Sequence, residues 1–284
     1  MWRKTNILDR NDLVQVINQM NPEFVFHMAA RTDLGGQSIE EYAANTEGVA
    51  NVIEALSGIN TLRCAVFASS MLVCQIGYKP KSETDYCPNT PYGESKVVGE
   101  NLLRRIGASK FPWIIVRPTS IWGPWFEIPY RNFFTAIQHG IYIHPRKIKV
   151  RRSYGFVLNS VFQLNKLITS EHVGLVGHSL YLSDYEPIEL KNWAHLIQES
   201  FGSRAIREMP LWAFQFFAKI GDMLKYIGFN NPPISSTRLN NMLTEMIHDV
   251  SLLQSVCGDV PYTMGEGVKL TCDWMKAHTM GNKV

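Results

Sequence analysis

The chain has 284 residues, of which 45% are hydrophobic and 19% are charged, and its formal net charge is +3. This length and apolar content predict one large domain, or one main domain with a smaller lobe. The small net charge argues against a strong attraction to nucleic acid or to membrane surfaces. No apolar run approaches the roughly 20 residues that are needed to span a bilayer.

The cysteines and the N-terminus indicate a compartment. Five cysteines, an odd number, occur without a C-x-x-C pair, which is typical of free thiols in a reducing environment. The N-terminus lacks the apolar segment of a secretory signal. The eight histidines show no metal-ligand spacing such as H-E-x-x-H, so we expect no metal site. We therefore expect a soluble, cytoplasmic protein that neither spans a membrane nor binds nucleic acid.

The first two thirds of the chain alternate short apolar runs with helical patterns, which predicts an α/β fold with parallel strands. Buried strands are predicted at 24–30, 64–68 and 113–116. A helix is predicted between the first two strands, beginning with a capping box of Ser38 and Glu41 and closing at Gly58. A second helix is predicted to begin after Thr90 and to end near residue 106, since proline at the first helical position follows an N-cap threonine.

Beyond about residue 125 the pattern loosens into shorter elements. Helices are predicted near 189–201, 210–228 and 262–277. The 210–228 segment is rich in aromatic residues and has a thin polar face. This composition favours a helix that is buried in the smaller lobe, with a membrane-surface helix as the alternative.

The second predicted helix carries a Y-x-x-x-K motif, formed by Tyr92 and Lys96. Residues four apart share one face of a helix, and an ammonium beside a phenol lowers the pKa of the tyrosine toward a range useful for proton transfer. An exposed helix pair is the alternative interpretation. Ser70 ends the preceding strand, and catalytic groups gather at the carboxyl ends of strands in open α/β sheets. Ser70 is therefore a candidate partner of Tyr92, although it could also be a turn serine.

Several motifs follow one another in a fixed order: H-x-A-A at 27–30, an asparagine at 45, S-S-x-x-V at 69–73, Y-x-x-x-K at 92–96 and R-P-T-S-I-W-G-P at 117–124. Together they cover roughly residues 5–160. In order and spacing they resemble the motifs of the extended short-chain dehydrogenase/reductases, the NAD-dependent epimerase/dehydratase family. The resemblance implies a Rossmann-like sheet with a partial dinucleotide-binding domain at 1–125 and, at 126–284, mainly a substrate-binding lobe with some return to the main sheet.

The resemblance also implies roles for individual residues. Tyr92 would be the acid/base, Lys96 would tune it and hold the nicotinamide ribose, and Ser70 would orient the substrate hydroxyl. Residues that would contact NAD or NADP are Asn6, Ile7, Ala29, Ala30, Thr32, Asn45, Tyr92, Lys96 and Pro118. Residues that would contact the substrate are Ser70, Ser120 and Arg152.

Arg152 ends the basic run 146–152, which has two interpretations. Short stretches of alternating charge are commonly solvated edge strands. The run is also similar to the family's R-D-x-x-x-V motif, whose arginine binds the diphosphate of a nucleotide sugar. The planar guanidinium of an arginine matches phosphate oxygens, which suits that role.

The sequence departs from the family at its beginning. No glycine-rich strand–turn–helix precedes His27, and Asn6 stands where members carry an aspartate that contacts adenine. On the order of 60 residues, two strand–helix units, are expected to be lacking. We therefore expect an N-terminally truncated form that binds dinucleotide poorly. Met71 and Leu72 follow Ser70 where dehydratases carry an acidic pair, which disfavours dehydration, and Cys74 replaces a tyrosine, as small residues do in 3β-hydroxysteroid dehydrogenases.

Three functions remain open. The first is an NAD(P)-dependent epimerase or reductase that acts on a nucleotide sugar. The second is an oxidoreductase similar to 3β-hydroxysteroid dehydrogenase. The third is a non-catalytic remnant that serves as a scaffold. By resemblance we also expect a homodimer formed through the helices near 38–57 and 91–107.

Overall fold

The structure, a computed structural model, describes residues 2–169, 173–228, 232 and 234–280. Their Cα positions group into two compact units. The first unit draws on 1–119, 161–182 and 249–259, and the second draws on 120–160, 183–248 and 260–284. Each unit is therefore assembled from three separate stretches of the sequence.

The strands in chain order are β1 (Phe24–His27), β2 (Cys64–Ala68), β3 (Trp113–Pro118), β4 (Ser120–Trp122), β5 (Ile143–Pro145), β6 (Arg151–Arg152), β7 (Tyr154–Phe156), β8 (Ser179–Leu182), β9 (Ile188–Glu189) and β10 (Arg207–Met209). The α-helices are α1 (Arg10–Met20), α2 (Glu47–Leu56), α3 (Pro91–Ile106), α4 (Tyr130–Gln138), α5 (Val157–Thr169), α6 (Leu190–Phe201), α7 (Leu211–Tyr226), α8 (Ser236–Leu243), α9 (Ser251–Cys257) and α10 (Met264–Met280).

A parallel sheet in the order β1-β2-β3-β8 organises the first unit. The central strands β2 and β3 are buried along almost their whole length, as expected of apolar runs that are covered on both faces. One face carries a hydrophobic core to which α1, α2 and α3 contribute. The α/β class, the three predicted strands and the helix capped by Thr90 are thereby confirmed.

The helix predicted from Ser38 to Gly58 is interrupted. Residues Ile39–Asn45 form a 3₁₀ helix with a non-helical Tyr42, and α2 begins only at Glu47. Half of the predicted capping box is present: the Glu41 carboxylate accepts a hydrogen bond from Ser38 N, whereas the Ser38 side chain makes no capping hydrogen bond. Tyr42 and Asn45 explain the interruption, since their side chains bond to backbone atoms of the loop that follows β1.

Asn6 and Ile7, which the resemblance assigns to cofactor binding, lie in a turn ahead of α1. The Asn6 carboxamide accepts a hydrogen bond from Leu8 N at 3.1 Å, and the Asn6 carbonyl accepts one from Asp9 N at 2.8 Å. Asparagine side chains commonly offer the backbone such a local alternative to strand pairing. Ile7 packs against the core, and its carbonyl accepts a hydrogen bond from Asn51 of α2.

The second unit is held together by an aromatic core rather than by a large sheet. Trp122, Phe134, Phe156 and Trp193 are almost completely buried there, among side chains of α4, α6 and α10. Short strand pairs β4–β7, β5–β10 and β6–β9 border this core. The basic run therefore ends in the short strand β6, which pairs antiparallel with β9.

The predicted helix at 210–228 exists as α7, but it is not buried as expected. Only one face packs inward, whereas Trp212 is 70% exposed and Met223 is 63% exposed. Small residues account for this arrangement, because the inward face is occupied mainly by Ala213, Ala218 and Gly221. In the part of the chain that the structure describes, every helix is too short or too polar to cross a bilayer.

A buried ion pair ties α3 to the sheet. The Arg117 guanidinium, at the end of β3, donates to both carboxylate oxygens of Glu100, at 2.9 and 2.7 Å. Both side chains are 2% exposed, and the Tyr86 hydroxyl donates a further hydrogen bond to Glu100 at 2.9 Å. A buried charge is tolerated only when it is paired and hydrogen-bonded, so the pair fixes how α3 lies on the sheet.

Glu100→Gln is expected to lower the free energy of unfolding by about 3–5 kcal/mol, because it leaves the Arg117 charge buried without a counterion. The matched control is Glu54→Gln, which breaks the exposed Arg10–Glu54 pair and is expected to cost far less, because water screens exposed ion pairs. Urea unfolding of both variants measures the difference. Equal losses in the two variants would contradict this role of the ion pair.

Candidate active site

Ser70 lies just beyond the carboxyl end of β2. It begins a 3₁₀ turn over Met71–Val73, and its hydroxyl accepts a hydrogen bond from Leu72 N at 3.1 Å. The side chain is buried. This local bond fixes the orientation of the hydroxyl at the edge of the sheet where the carboxyl ends of β1, β2 and β3 meet.

The first turn of α3 brings Tyr92 next to Ser70. Thr90 caps the helix by accepting a hydrogen bond from Gly93 N at 3.1 Å. Gly93 lies against the turn after Ser70, where a Cβ atom would collide with the carbonyl oxygen of Leu72. Only glycine permits this close approach. As a result the Ser70 hydroxyl is a hydrogen-bond partner of the Tyr92 phenol.

Lys96 lies one turn further along α3, on the same face as Tyr92. Its ammonium nitrogen is 6.0 Å from the centroid of the Tyr92 ring and donates a hydrogen bond to Ala68 O at 2.9 Å. Both side chains are 7% exposed. The structure thus brings together the three residues that the sequence analysis assigned to catalysis: Ser70, Tyr92 and Lys96.

Burial dominates the ionisation of this cluster. Burial raises the pKa of Tyr92 above its ordinary value, while the hydrogen bond with Ser70 opposes that rise. The direction is opposite to the one that the sequence analysis expected from a neighbouring ammonium. Burial also lowers the pKa of Lys96 to about 8, while the charge of Glu100 opposes that shift. Tyr92 is therefore protonated at neutral pH, and Lys96 loses its charge just above neutrality.

Asn45 holds the loop that follows β1 against α3. It is 1% exposed, its carboxamide pairs with both backbone groups of Arg31, and it donates to the Ser95 hydroxyl at 2.9 Å. Asn45 therefore positions this loop through hydrogen bonds. Of the other residues that were predicted to contact a cofactor, Ala29 and Thr32 are exposed on the same loop, Ala30 is half-buried there, and Pro118 is half-buried at the end of β3.

Two further residues belong to the cluster, Tyr42 and Glu100, and neither lies in one of the recognised motifs. Tyr42 is fully buried, and its ring centroid is 5.9 Å from that of Tyr92. Glu100 lies four residues after Lys96 on the same helical face. The i, i+4, i+8 spacing of Tyr92, Lys96 and Glu100, together with the arginine of the R-P motif, was the available signal.

Residues at this cluster fit the ribose end of a nicotinamide dinucleotide. The Ser69 hydroxyl is buried and, among the described residues, has no hydrogen-bond partner. Ser69, Lys96 and Asn45 line a cavity of about 20 Å³, which admits about one water molecule, so the match to a ribose rests on hydrogen-bonding chemistry and not on cavity size. Ribose hydroxyls both donate and accept hydrogen bonds, which matches an unpaired hydroxyl beside an ammonium. Within residues 2–169, 173–228 and 234–280, acidic, cysteine and histidine side chains form no group of three that could hold a metal ion.

The second unit contains the other two substrate candidates. Ser120 is buried at the start of β4 and is a hydrogen-bond partner of the Tyr130 phenol. The Arg152 guanidinium donates to the carbonyl oxygens of Asn241 and Thr244. Asn241 lies in the last turn of α8, and Thr244 is the residue that follows this helix. Arg152 thereby satisfies carbonyls at a helix C-terminus, where a cation is favourable.

Comparison with known proteins identifies the family. The model of the NAD dependent epimerase/dehydratase family matches residues 2–157, more than half of the chain, and the chain belongs to this family. The family that the order of the sequence motifs predicted is thereby confirmed, and common descent explains the Rossmann-like α/β fold. This is a family of NAD-dependent enzymes, and membership in it supports an enzymatic function for the chain.

The individual relatives are of two kinds. The chain is 26% identical over 196 residues to a 3β-hydroxysteroid dehydrogenase/Δ5→4-isomerase of Mycobacterium tuberculosis, covering 63% of this chain and 53% of that protein. It is 30% identical over 137 residues to a UDP-glucose 4-epimerase of Mycoplasma genitalium, covering 45% of this chain and 40% of that protein. The chain thus spans about half the length of these curated relatives.

A solved structure supports the fold. The UDP-glucuronic acid 4-epimerase of Bacillus cereus, crystallised with UDP-glucuronic acid and NAD, aligns with a TM-score of 0.72. The alignment covers 96% of this chain and 81% of that chain at 15% identity. At this identity the likeness establishes the fold alone.

Lys96 is expected to titrate near pH 8 rather than near the ordinary lysine value of about 10.4. Between these two pH values the unfolded chain binds more protons than the folded chain, so the free energy of unfolding rises with pH. NMR titration of the lysine Cε resonances, assigned with Lys96→Met, measures the midpoint. Urea unfolding of wild type against Lys96→Met checks the sign. A midpoint above pH 10 would refute the proposed burial.

Proposed function

We propose that the chain is an NAD(P)-dependent epimerase or reductase that acts on a nucleotide sugar through Ser70, Tyr92 and Lys96. The observation that carries this proposal is the meeting of a serine hydroxyl, a buried phenol and a buried ammonium at the carboxyl edge of a parallel sheet. This edge is where ligands bind in open α/β folds.

The ionisation of these groups suits proton transfer at a substrate oxygen. Tyr92 is held in its acid form, so it can donate a proton to the oxygen of a substrate carbonyl whose carbon accepts hydride. Ser70 orients the same oxygen, and the Lys96 ammonium stabilises the phenolate that forms. In the oxidative direction the same groups act in reverse. A bound nicotinamide supplies the hydride acceptor and donor.

The cofactor is proposed to be NAD or NADP. Lys96 and the orphaned Ser69 hydroxyl would meet the ribose next to the nicotinamide. Ala29, Ala30 and Thr32 would line the cleft, and Pro118 would lie against the nicotinamide end. Asn6 and Ile7 remain candidates for the adenine end, and Asn45 acts through the loop that it holds in place.

A nucleotide sugar is the substrate class that the family's epimerases favour. The Bacillus cereus neighbour was crystallised with UDP-glucuronic acid, and the Mycoplasma relative is a UDP-glucose 4-epimerase. Ser120 and Arg152 are the proposed substrate contacts in the second unit. Because Arg152 bonds to the carbonyls of Asn241 and Thr244, a diphosphate would compete with these carbonyls for the guanidinium.

A 3β-hydroxysteroid is the second candidate substrate class. The mycobacterial relative is a 3β-hydroxysteroid dehydrogenase, and Cys74 stands where epimerases carry a tyrosine. Cys74 is buried and its thiol donates to Asp85 O at 3.4 Å, so its role is structural.

Tyr92→Phe is expected to lower kcat by about 10²–10⁴-fold, the usual contribution of a general acid/base, and to affect NADH affinity much less, because the ring that would contact the cofactor is retained. The matched control, Tyr78→Phe, removes a phenol that donates to Asp85 in the loop after Ser70 and should retain activity. Turnover of UDP-glucose and of a 3β-hydroxysteroid is assayed with both variants. Turnover of the steroid without turnover of UDP-glucose would make the steroid class the preferred proposal. Full activity of Tyr92→Phe would contradict the proposed catalytic role of Tyr92.

The proposed assembly is a cytoplasmic homodimer that is formed through α2 and α3, by resemblance to the family. Sedimentation velocity should then give a mass near twice the 32.3 kDa of the chain. A monomer mass at micromolar concentration would contradict this assembly.

A further inference from the structure

Large apolar side chains form a continuous exposed stripe along α7. Trp212, Phe216, Ile220, Met223 and Ile227 recur at intervals of three or four residues, which places them on one helical face. They are between 38% and 70% exposed, and the neighbouring Tyr226 is 93% exposed. Soluble proteins seldom expose so many large apolar side chains side by side, and such patches mark interaction surfaces.

The stripe faces outward because the opposite face of α7 is firmly packed. Phe214 and Ala218 form a small core with Leu239 of α8. Gly221 touches the backbone of Ile234 so closely that a Cβ atom would collide with the Ile234 carbonyl oxygen. Rolling the helix to bury the stripe would break both contacts. The exposure is therefore a fixed property of the second unit.

Basic side chains flank the stripe. Strand β10, which leads into α7, pairs with β5, and Arg146 N donates to Met209 O at 2.8 Å. This bond places the exposed basic run, which begins with Arg146 and continues with Lys147 and Lys149, beside the start of α7. Lys219 is exposed on the helix itself, next to the stripe, whereas Lys225 lies on the opposite side of the helix. The acid on α7, Asp222, accepts a hydrogen bond from Ser236 N in α8.

We propose that α7 is a membrane-surface helix, which lays its Trp212, Phe216 and Met223 side chains onto an anionic phospholipid bilayer. A helix of this kind lies in the plane of the bilayer surface, with apolar side chains below and cations at the level of the phosphates. Trp212 in the first turn and Tyr226 in the last turn are the residue types that are enriched at this interface.

Charge favours a bilayer over a second copy of the chain as the occupant. In a two-fold contact the stripe would face itself, so the lysines of both copies would be brought together and desolvated. On a bilayer the Lys219 stem can lie along the acyl boundary while its ammonium reaches the phosphates. A groove of about 480 Å³ beside Lys219, lined also by Gln215, Ser236 and Asn240, offers polar groups to a lipid headgroup.

The test is flotation of the full chain with two kinds of vesicle: phosphatidylcholine alone, and phosphatidylcholine with about 30% phosphatidylglycerol. The second kind tests the attraction of basic side chains to an anionic surface. Wild type is expected to bind the anionic vesicles at least about tenfold more tightly than the neutral ones. Each basic residue near a bilayer contributes about a fivefold change in affinity, so Lys219→Gln should weaken binding by about that factor.

The decisive variant is the double substitution Trp212→Ser with Phe216→Ser, which should weaken binding by at least about tenfold because it removes the buried apolar anchors. Its matched control, Trp2→Ser with Leu34→Ser, removes exposed apolar side chains of the first unit and should bind as wild type does. All four positions are exposed, so melting temperatures should not change.

Three results would overturn the proposal. Wild type could fail to bind anionic vesicles, or the double variant at 212 and 216 could bind as tightly as wild type. Sedimentation velocity could instead reveal a self-association that this double variant abolishes without any vesicle binding, which would assign the stripe to a second copy of the chain.

Discussion

The buried Glu100–Arg117 ion pair is the interaction on which the candidate site depends. It fixes the middle of α3 over the end of β3, where neither charge is accessible to water. Because α3 is a rigid rod from Thr90 onward, fixing its middle also fixes its first turns. Tyr92 lies eight residues before Glu100 and Lys96 lies four residues before it. The face of α3 that Glu100 anchors to the sheet therefore also presents the two candidate catalytic side chains.

The cluster above the ion pair is electrostatically unfavourable in itself. Lys96 is buried with a lowered pKa, and burial also depresses the pKa of the neighbouring His27 to about 4, with the Lys96 charge adding to that shift. Such perturbed groups gather at functional sites, where a fold tolerates local cost because surrounding contacts hold the groups in place. Here those contacts are the Glu100–Arg117 pair, the close approach of Gly93 and the loop that Asn45 and Tyr42 fasten.

Features with strong local signals could be predicted from the sequence. The apolar runs of β2 and β3, the Thr90 cap of α3 and the ordered motifs predicted the fold, the family and the candidate residues that the structure brings together. Features set by tertiary contacts could not be predicted. Tyr42 has the spacing of a core residue, yet its hydroxyl bonds to Asp33 O and interrupts a helix that the pattern made continuous.

The pKa shifts of buried groups and the exposure of apolar side chains also could not be predicted from a single sequence. A lysine near a tyrosine predicts a lowered phenol pKa, but the degree of burial decides the sign, and burial is known only from packing. The apolar content of α7 predicted a buried helix, because composition does not reveal that small residues would occupy the inward face. Arg152 could be recognised as a candidate anion ligand, but its bonds to Asn241 and Thr244 come from residues about 90 positions away.

The central claim is that Ser70, Tyr92 and Lys96 meet beside a nicotinamide ribose. Calorimetric titration of NADH into wild type, Lys96→Met and the exposed-lysine control Lys110→Met tests it most directly. Wild type and Lys110→Met should bind NADH alike, and Lys96→Met should bind about tenfold more weakly or worse, because a hydrogen bond from a charged donor contributes about 1.5–3 kcal/mol. Equal affinities for all three proteins would contradict the claim, and the absence of binding to wild type would favour the non-catalytic scaffold instead.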